Sequence, residues 1–426
     1  MAFESEELRK RQERRRIEKQ RRLEKQKRFR HRMTIGLIIA AVVLALCGIL
    51  IIVLQNDAPP PPPVDETTAP TAPTEPQTVI SLAFGGDLNI TDKVVASGVT
   101  EQGYDFAPVF RDIMPLLAGA DATVLNLEGN LIGEPYGSQN ASAPPALLEA
   151  LSAAGVDMLQ MANSYTVANG LLGLNSTLDA IRQAGMEPVG AFASSAEFEA
   201  TKGYTLRSVN GVKVAFVAFT KGVGNLGMPE GSENQVNLLY SDYTSTYQKV
   251  DTEGIRKVLR AVANEQPDFT VALLHWGSEY NNQISDSQEK IAKLMLEEGV
   301  DAIVGNHSHF VQPIVHDKQA GTVVAYSLGD FLGDCPKSGT EYSAILQLQV
   351  TKDNTTGQTT LTSVDYAPIY TLRTETESTV SSTLLRIQEA IEAYEADSID
   401  RVSQSVYKAL KAALSNLESR TAPPKK

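Results

Sequence analysis

Only two cysteines, one tryptophan and five histidines occur in 426 residues, and each scarcity excludes something. Two cysteines, Cys47 inside an apolar run and Cys335 far along the chain, build neither a disulfide framework nor a thiolate metal site. Basic residues are scarce outside the first 32: that stretch holds 14 Lys/Arg against 6 Asp/Glu, leaving 24 against 45, or −21, for everything after it. An acidic body argues against nucleic acid as its partner, because phosphate binding needs clustered Lys and Arg. Long uncharged apolar runs are absent too, with a single exception at residues 33–54.

That exception organises the front of the chain. Residues 33–54 are rich in Ile, Leu, Val and Ala, long enough as a helix to cross a hydrocarbon layer of ~30 Å. Cleavage as a signal peptide is the competing reading, but the run exceeds the roughly 7–15 apolar residues of such peptides and no small-x-small site follows. An uncleaved single-pass anchor is expected, with the basic arm of residues 1–32 in the cytoplasm and the rest outside. Residues 55–78 contain five consecutive prolines, Pro59 to Pro63. Polyproline II geometry makes them a semi-rigid stalk.

From residue 79 onward apolar runs ending in Gly or a polar residue alternate with helical periods, the pattern of an α/β domain with antiparallel pieces mixed in. Residues 205–209 and 212–220 flank Asn210-Gly211 and predict a hairpin. Residues 221–250, rich in Gly, Asn, Ser and Tyr, read as a long surface excursion of the functional or disordered kind. After Arg373 two helical segments are expected, at about 382–396 and 400–417. Val406, Leu410, Ala413, Leu414 and Leu417 form a stripe that should pack back on the domain.

Four of the five histidines fall within residues 275–316. His275 ends the run Val271-Ala272-Leu273-Leu274, and His307 and His309 follow Ala302-Ile303-Val304-Gly305. His316, beyond Pro313, has no such support and reads as a surface residue. Other strand candidates also end in polar groups: Asp87, Glu128, Asn163 and Asp330. Open α/β sheets bind ligands at the carboxyl ends of their strands. Carboxylates and imidazoles converging there suit one or two divalent ions of the Mn, Zn or Fe type. Without metal, Asp87, Glu128 and the histidines could still serve acid–base chemistry.

The segments Gly86-Asp87, Asn126-Leu127-Glu128, Ala162-Asn163 with Gly170, His275-Trp276-Gly277-Ser278-Glu279-Tyr280, Gly305-Asn306-His307-Ser308-His309 with Gln312, and Ser327-Leu328-Gly329-Asp330-Phe331 carry a family likeness. Together they resemble the CapA-type poly-γ-glutamate capsule-synthesis proteins over about residues 79–335, and less distinctly to 373. The resemblance implies a metallophosphatase-like fold, a two-sheet sandwich flanked by helices, over residues 79–373, followed by a helical segment at 374–426. It implies a membrane-anchored, outward-facing protein of capsule synthesis or export, whose partners are an anionic polymer or its precursors and other membrane subunits of that machinery. It assigns Asp87, Glu128, Asn163, His275, His307 and His309 to metal, with Asp87, His275 and His307 catalytic. Asn126, Trp276, Glu279, Tyr280 and Asp330 are left for substrate.

Two departures from the family pattern bear on chemistry. Where that pattern has Ala-Asn-Asn-His-x-x-Asp-x-Gly, this chain has Ser164, Tyr165 and Ala168, so the implied proton donor is replaced. Asp330 stands in place of an Asn, either as an added ligand or as a turn residue bonding its own backbone. Two readings follow: a metal-dependent hydrolase or transferase acting on a phosphoester or amide bond, and a non-catalytic polymer-binding or scaffold subunit.

Overall fold

The computed structural model describes residues 76–423, apart from 225 and 335. The basic arm, the segment expected to span a membrane, nearly all of the expected stalk and both cysteines lie outside the described residues. No helix among the described residues is long and apolar enough to cross a membrane.

Strand β1 (Gln77–Asn89) begins the first sheet. A minimal hairpin, β2 (Val99–Thr100) and β3 (Gly103–Tyr104), stands apart from it. Strands β4 (Ala122–Glu128), β5 (Met158–Gln160) and β6 (Glu187–Val189) then add in parallel to β1 and to one another. The chain crosses to a second sheet through the antiparallel hairpin β7 (Tyr204–Val209) and β8 (Val212–Thr220). Asn210 and Gly211 turn it at φ +47° and +86°, the positive angles that a two-residue hairpin loop requires. Strands β9 (Phe269–His275) and β10 (Ala302–Asn306) continue in parallel, and β11 (Ile314–Asp317) runs antiparallel to β12 (Thr322–Ala325). The first sheet is rejoined by the short β13 (Asp330–Leu332), parallel to the end of β1, and closed by β14 (Tyr342–Asp353), β15 (Thr359–Glu375) and β16 (Val380–Arg386). The orders are β16-β15-β14-β1-β4-β5-β6 and β11-β12-β10-β9-β8-β7.

Period-two alternation in the second sheet explains how two cores form from one strand set. Val214, Phe216 and Ala218 of β8, with Val271 and Leu273 of β9, belong to the large core shared with β1, β4 and β14. Ala215, Val217 and Phe219, with Ala272 and Leu274, point the other way. There they meet Ile255, Val258, Leu259 and Val262 of helix Thr252–Asn264 and Ile291, Ala292 and Met295 of helix Asp286–Glu297. Because both faces are covered, these strands read as unbroken apolar runs. Helix Asp286–Glu297 starts on a capping box, Ser285 with Gln288, which satisfies two otherwise orphaned backbone donors.

The arrangement agrees with a mixed α/β fold of two sheets and flanking helices, and it changes several details. Residues 382–386, expected to be helical, form part of β16, paired with β15. The helix begins only at Ile387 and ends at Glu395. A boundary at 373 therefore falls inside β15. Helix Gln404–Thr421 packs back as expected, burying Leu410, Ala413 and Leu417 in the large core. Residues 221–250 are irregular but not merely superficial: Val223, Met228 and Val236 enter one core, Leu239 and Tyr240 the other.

Candidate metal centre

Parallel strands of both sheets end on one side of the sandwich, and the polar residues that follow each run meet there. Asp87 terminates the regular part of β1 at a register shift against β4 and against β13. Its Oδ1 accepts from Asn126 Nδ2 at 2.6 Å and its Oδ2 from the His307 backbone N–H at 2.9 Å. Asn126 Nδ2 also donates to Glu128 Oε1 at 3.2 Å, so one amide ties together carboxylates from two strands. His275 Nδ1 lies 3.2 Å from Glu128 Oε1, and the His275 and His307 rings are tilted at 4.3 Å between centroids.

Two groups of potential ligands result: Glu128, His275 and His307, and Asp87, His309 and Asp330, each with its ligand atoms within 4.8 Å of one another. All six side chains are buried. The geometry depends on unusual backbone at the imidazoles: His307 has φ +94° and His309 φ +59°. Non-glycine residues adopt such angles at a cost of about 1–3 kcal/mol, which the surrounding structure must offset. Here the turn at His307 aims its N–H at Asp87.

Asp330 does not bond its own backbone, the alternative open from sequence. Its Oδ1 accepts from Asn89 Nδ2 at 2.9 Å and lies 2.7 Å from His309 Nδ1. Its Oδ2 is buried with no hydrogen-bond partner. Asn163 reaches the cluster only through Asn126 Oδ1, to which its Nδ2 donates at 3.0 Å; its own Oδ1 accepts from the Tyr165 N–H at 2.9 Å. Trp276 is fully enclosed in the second core, its Nε1 donating to the Tyr326 carbonyl at 2.9 Å. It supports the site from behind, where no substrate reaches it. Asn126 is buried as well and holds carboxylates. Tyr280 stacks on His309 at 4.9 Å. His316 sits on edge strand β11 and joins neither group.

Burial dominates the electrostatics. It raises Asp87, with the His309 charge and the Asn126 and His307 donors pulling back. It raises Glu128 well above the usual carboxylate range, and the neighbouring Asp87 adds to the rise. It holds His275 and His307 well below the usual imidazole value, helped at His275 by the His307 and His309 rings and at both by Lys221. His309 goes the other way: burial opposes its charge, but Asp330, Glu128 and Asp87 outweigh that and raise it to about 10. Three buried carboxyls thus face one imidazolium, with one carboxylate oxygen unpaired. Burial pushes all three carboxyls towards the protonated form without a cation, and carboxylates are tolerated there only when paired or bound to metal, so the residues present fit a divalent cation.

A cleft of about 550 Å³ opens onto this centre and is lined by His307, Ser164, Tyr165, Lys221, Tyr247 and Glu279, among others. Ser164 Oγ is 3.0 Å from His275 Nε2. Tyr165 is 38% exposed, and its phenol is pushed up by burial and then by Glu128 and Glu279. Sequence reasoning missed Lys221, whose Nζ donates to the Gly277 carbonyl at 2.7 Å. The signal was present, since Lys221 follows the apolar run of β8 as His275 follows that of β9. Gln312 donates to the Asn281 and Gln283 carbonyls and accepts from Gln288, fixing the loop after Tyr280.

Residues 81–335 match the family described as bacterial capsule synthesis protein PGA_cap. The chain is 27% identical over 322 residues to the PGA biosynthesis protein CapA of Bacillus subtilis, covering 74% of this chain and 80% of that one. It is 30% identical over 284 residues to the capsule biosynthesis protein CapA of Bacillus anthracis, covering 65% of each. Among solved structures it is similar to the calcineurin-like phosphoesterase YfkN of Bacillus subtilis, with TM-score 0.41 and 16% identity over 79% of this chain and all of that one. A phosphatase of Mycoplasma pneumoniae gives TM-score 0.42 and 13% identity over 69% and 94%.

Proposed function

The chain belongs to the family of bacterial capsule synthesis proteins, and from that membership we propose that it serves poly-γ-glutamate capsule synthesis or export as a membrane-anchored, outward-facing, metal-dependent hydrolase or transferase. The observation that carries the catalytic part is the position of His307, which belongs to a buried ligand group and also lines the open cleft. A substrate in the cleft is therefore next to the centre.

Asp87, Glu128, His275, His307, His309 and Asp330 would hold one or two divalent ions, and a donor set of carboxylate and imidazole without thiolate suits Mn, Zn or Fe. Such an ion, when bound, would polarise a phosphoryl or carbonyl oxygen. Among the protein's own groups, Asn126 keeps Asp87 and Glu128 together, and the Gly277 carbonyl holds the Lys221 ammonium in the cleft. Tyr165, held protonated, can donate a hydrogen bond to a leaving oxygen or nitrogen.

A specific observation favours the second reading, a polymer-binding or scaffold subunit. The phenol of Tyr165 is a weaker acid than an imidazolium, and Ser164 hydrogen-bonds the His275 nitrogen that faces it. The test of both uses the full chain in detergent: elemental analysis for Mn, Zn and Fe, then hydrolysis of a phosphodiester and of γ-glutamyl oligomers with and without chelator. Bound metal with chelator-sensitive turnover that His307→Ala abolishes supports the enzyme. Bound polymer without turnover supports the scaffold. Absence of metal and of polymer binding would sink both. The anchor at residues 33–54 and the outward domain predict that protease added to intact cells removes the body of the chain; full protection would reverse the orientation.

A further inference from the structure

The cleft is lined by one cationic and one anionic side chain, and among the described residues neither forms a salt bridge. Lys221 Nζ donates to a neutral carbonyl, Gly277 O, and lies 4.7 Å from the centroid of the Tyr247 ring. Glu279, exposed, lines the same cleft two residues beyond Gly277. Among the described residues neither has an oppositely charged side-chain atom within 4.0 Å. Burial lowers the Lys221 pKa, and the Glu279 charge offsets part of that lowering. Lys221 and His307 line the same cleft, and the Lys221 backbone N–H donates to the His275 carbonyl at 2.8 Å, so Lys221 lies beside the candidate metal centre.

Two opposite charges that line one cleft without pairing to each other offer an address for a carboxylate and an address for an ammonium. Along a γ-linked glutamate chain, interior residues carry an α-carboxylate and no cation, and the carboxyl end carries two carboxylates. Only the amino-terminal residue has an ammonium and a carboxylate on one carbon. A polyanion is also repelled by a body of charge −21 outside the basic arm, whereas the zwitterionic end is the part of the polymer least subject to that repulsion. We infer that the cleft recognises the free amino end of a γ-glutamyl chain, Lys221 taking its α-carboxylate and Glu279 its ammonium. This rests on the capsule reading above and adds to it the polarity of the bound chain.

The experiment is calorimetric titration of the full chain in detergent with Mn²⁺ present. Its probes are a γ-linked glutamate tetramer, its N-acetylated form and its carboxyl-terminal amide. Acetylation should weaken binding about tenfold, the worth of one charge-assisted contact, and carboxyl-terminal amidation should leave it unchanged. Glu279→Gln should erase the difference between free and acetylated tetramers, and Lys221→Met should weaken both together. Equal binding of all three probes, or discrimination that survives Glu279→Gln, overturns the inference while leaving the capsule reading intact. No binding of any probe by metal-loaded protein overturns both. Glu279 is exposed, so its variant should melt as the parent does and decides the matter even if Lys221→Met fails to fold.

Discussion

Gly86→Ala tests the idea that the centre exists because two backbone segments touch. A Cβ at residue 86 would stand 1.8 Å from the Gly329 carbonyl oxygen and 2.9 Å from its carbon. Real Cβ atoms essentially never come under 3.0 Å, so the end of β1 and the turn before β13 must part by about 1.2 Å, the difference of those two distances. Parting lengthens the Asp87 N–H bond to Gly329 O, now 3.0 Å, at a cost of about 1 kcal/mol. Overpacking adds about 1–3 kcal/mol, so destabilisation of roughly 2–4 kcal/mol is expected. The same shift separates Asp87 from Asp330, its register partner, whereas metal–ligand distances tolerate only about 0.2 Å. Metal should be lost as well. Urea unfolding can be followed through the single tryptophan, Trp276, buried directly behind the site. Gly185→Ala is the comparator: with φ +81° and no atom within 4 Å, it should cost about 1–2 kcal/mol from backbone strain alone and leave metal in place. The reasoning fails if Gly86→Ala unfolds like the parent and keeps its metal, or if Gly185→Ala loses metal equally.

Three further outcomes are expected. Asp330→Asn should weaken Mn²⁺ binding at least about tenfold by titration; unchanged affinity would reduce Asp330 to a partner of His309. Asp301, which burial pushes up to about 6 against the Thr270 N–H, keeps its proton longer in the fold than in the unfolded chain, so its contribution favours the fold below pH 3.8 and is lost as pH rises to about 6. Asp301→Asn should therefore raise stability at neutral pH by about 3 kcal/mol, a gain that shrinks to nothing as pH falls towards 3.8; a pH-independent difference would contradict this. Leu417→Ala, at a fully buried position, should cost about 2–5 kcal/mol in urea unfolding, whereas a cost near zero would mean that the last helix is not part of the core.

The strand ends were legible because strands covered on both faces must be apolar throughout, so the first polar residue marks where the sheet stops. Asp87, Glu128, His275 and His307 were found that way. What was not legible depended on which distant segment covers a residue. Residues 382–386 could be a helical turn until β15 supplies an edge to pair with. Trp276 follows His275 directly and looks like a site residue, but its neighbours Ala272 and Leu274 face the helices. Asp330 could be a turn residue until Asn89 and His309 arrive from elsewhere in the chain. Lys221 follows an apolar run, but it also opens a stretch whose composition says loop, and composition does not reveal that this stretch lines the cleft.

The pleat of β9 has a consequence for what kinds of sequence change this protein can accept. Leu273 and His275 face the space between the sheets, and Leu274 and Trp276 face the helices. Adjacent residues therefore serve opposite sides of the wall. Replacing any one of them alters a single contact, but adding or deleting one residue within β9 would exchange the roles of all that follow, sending the indole into the candidate metal centre and the imidazole into the outer core. Length changes should abolish the site inside β9 and be harmless at the exposed turn of residues 318–320 between β11 and β12, so the site should depend more on the spacing between the apolar run and His275 than on the identity of any one residue in the run.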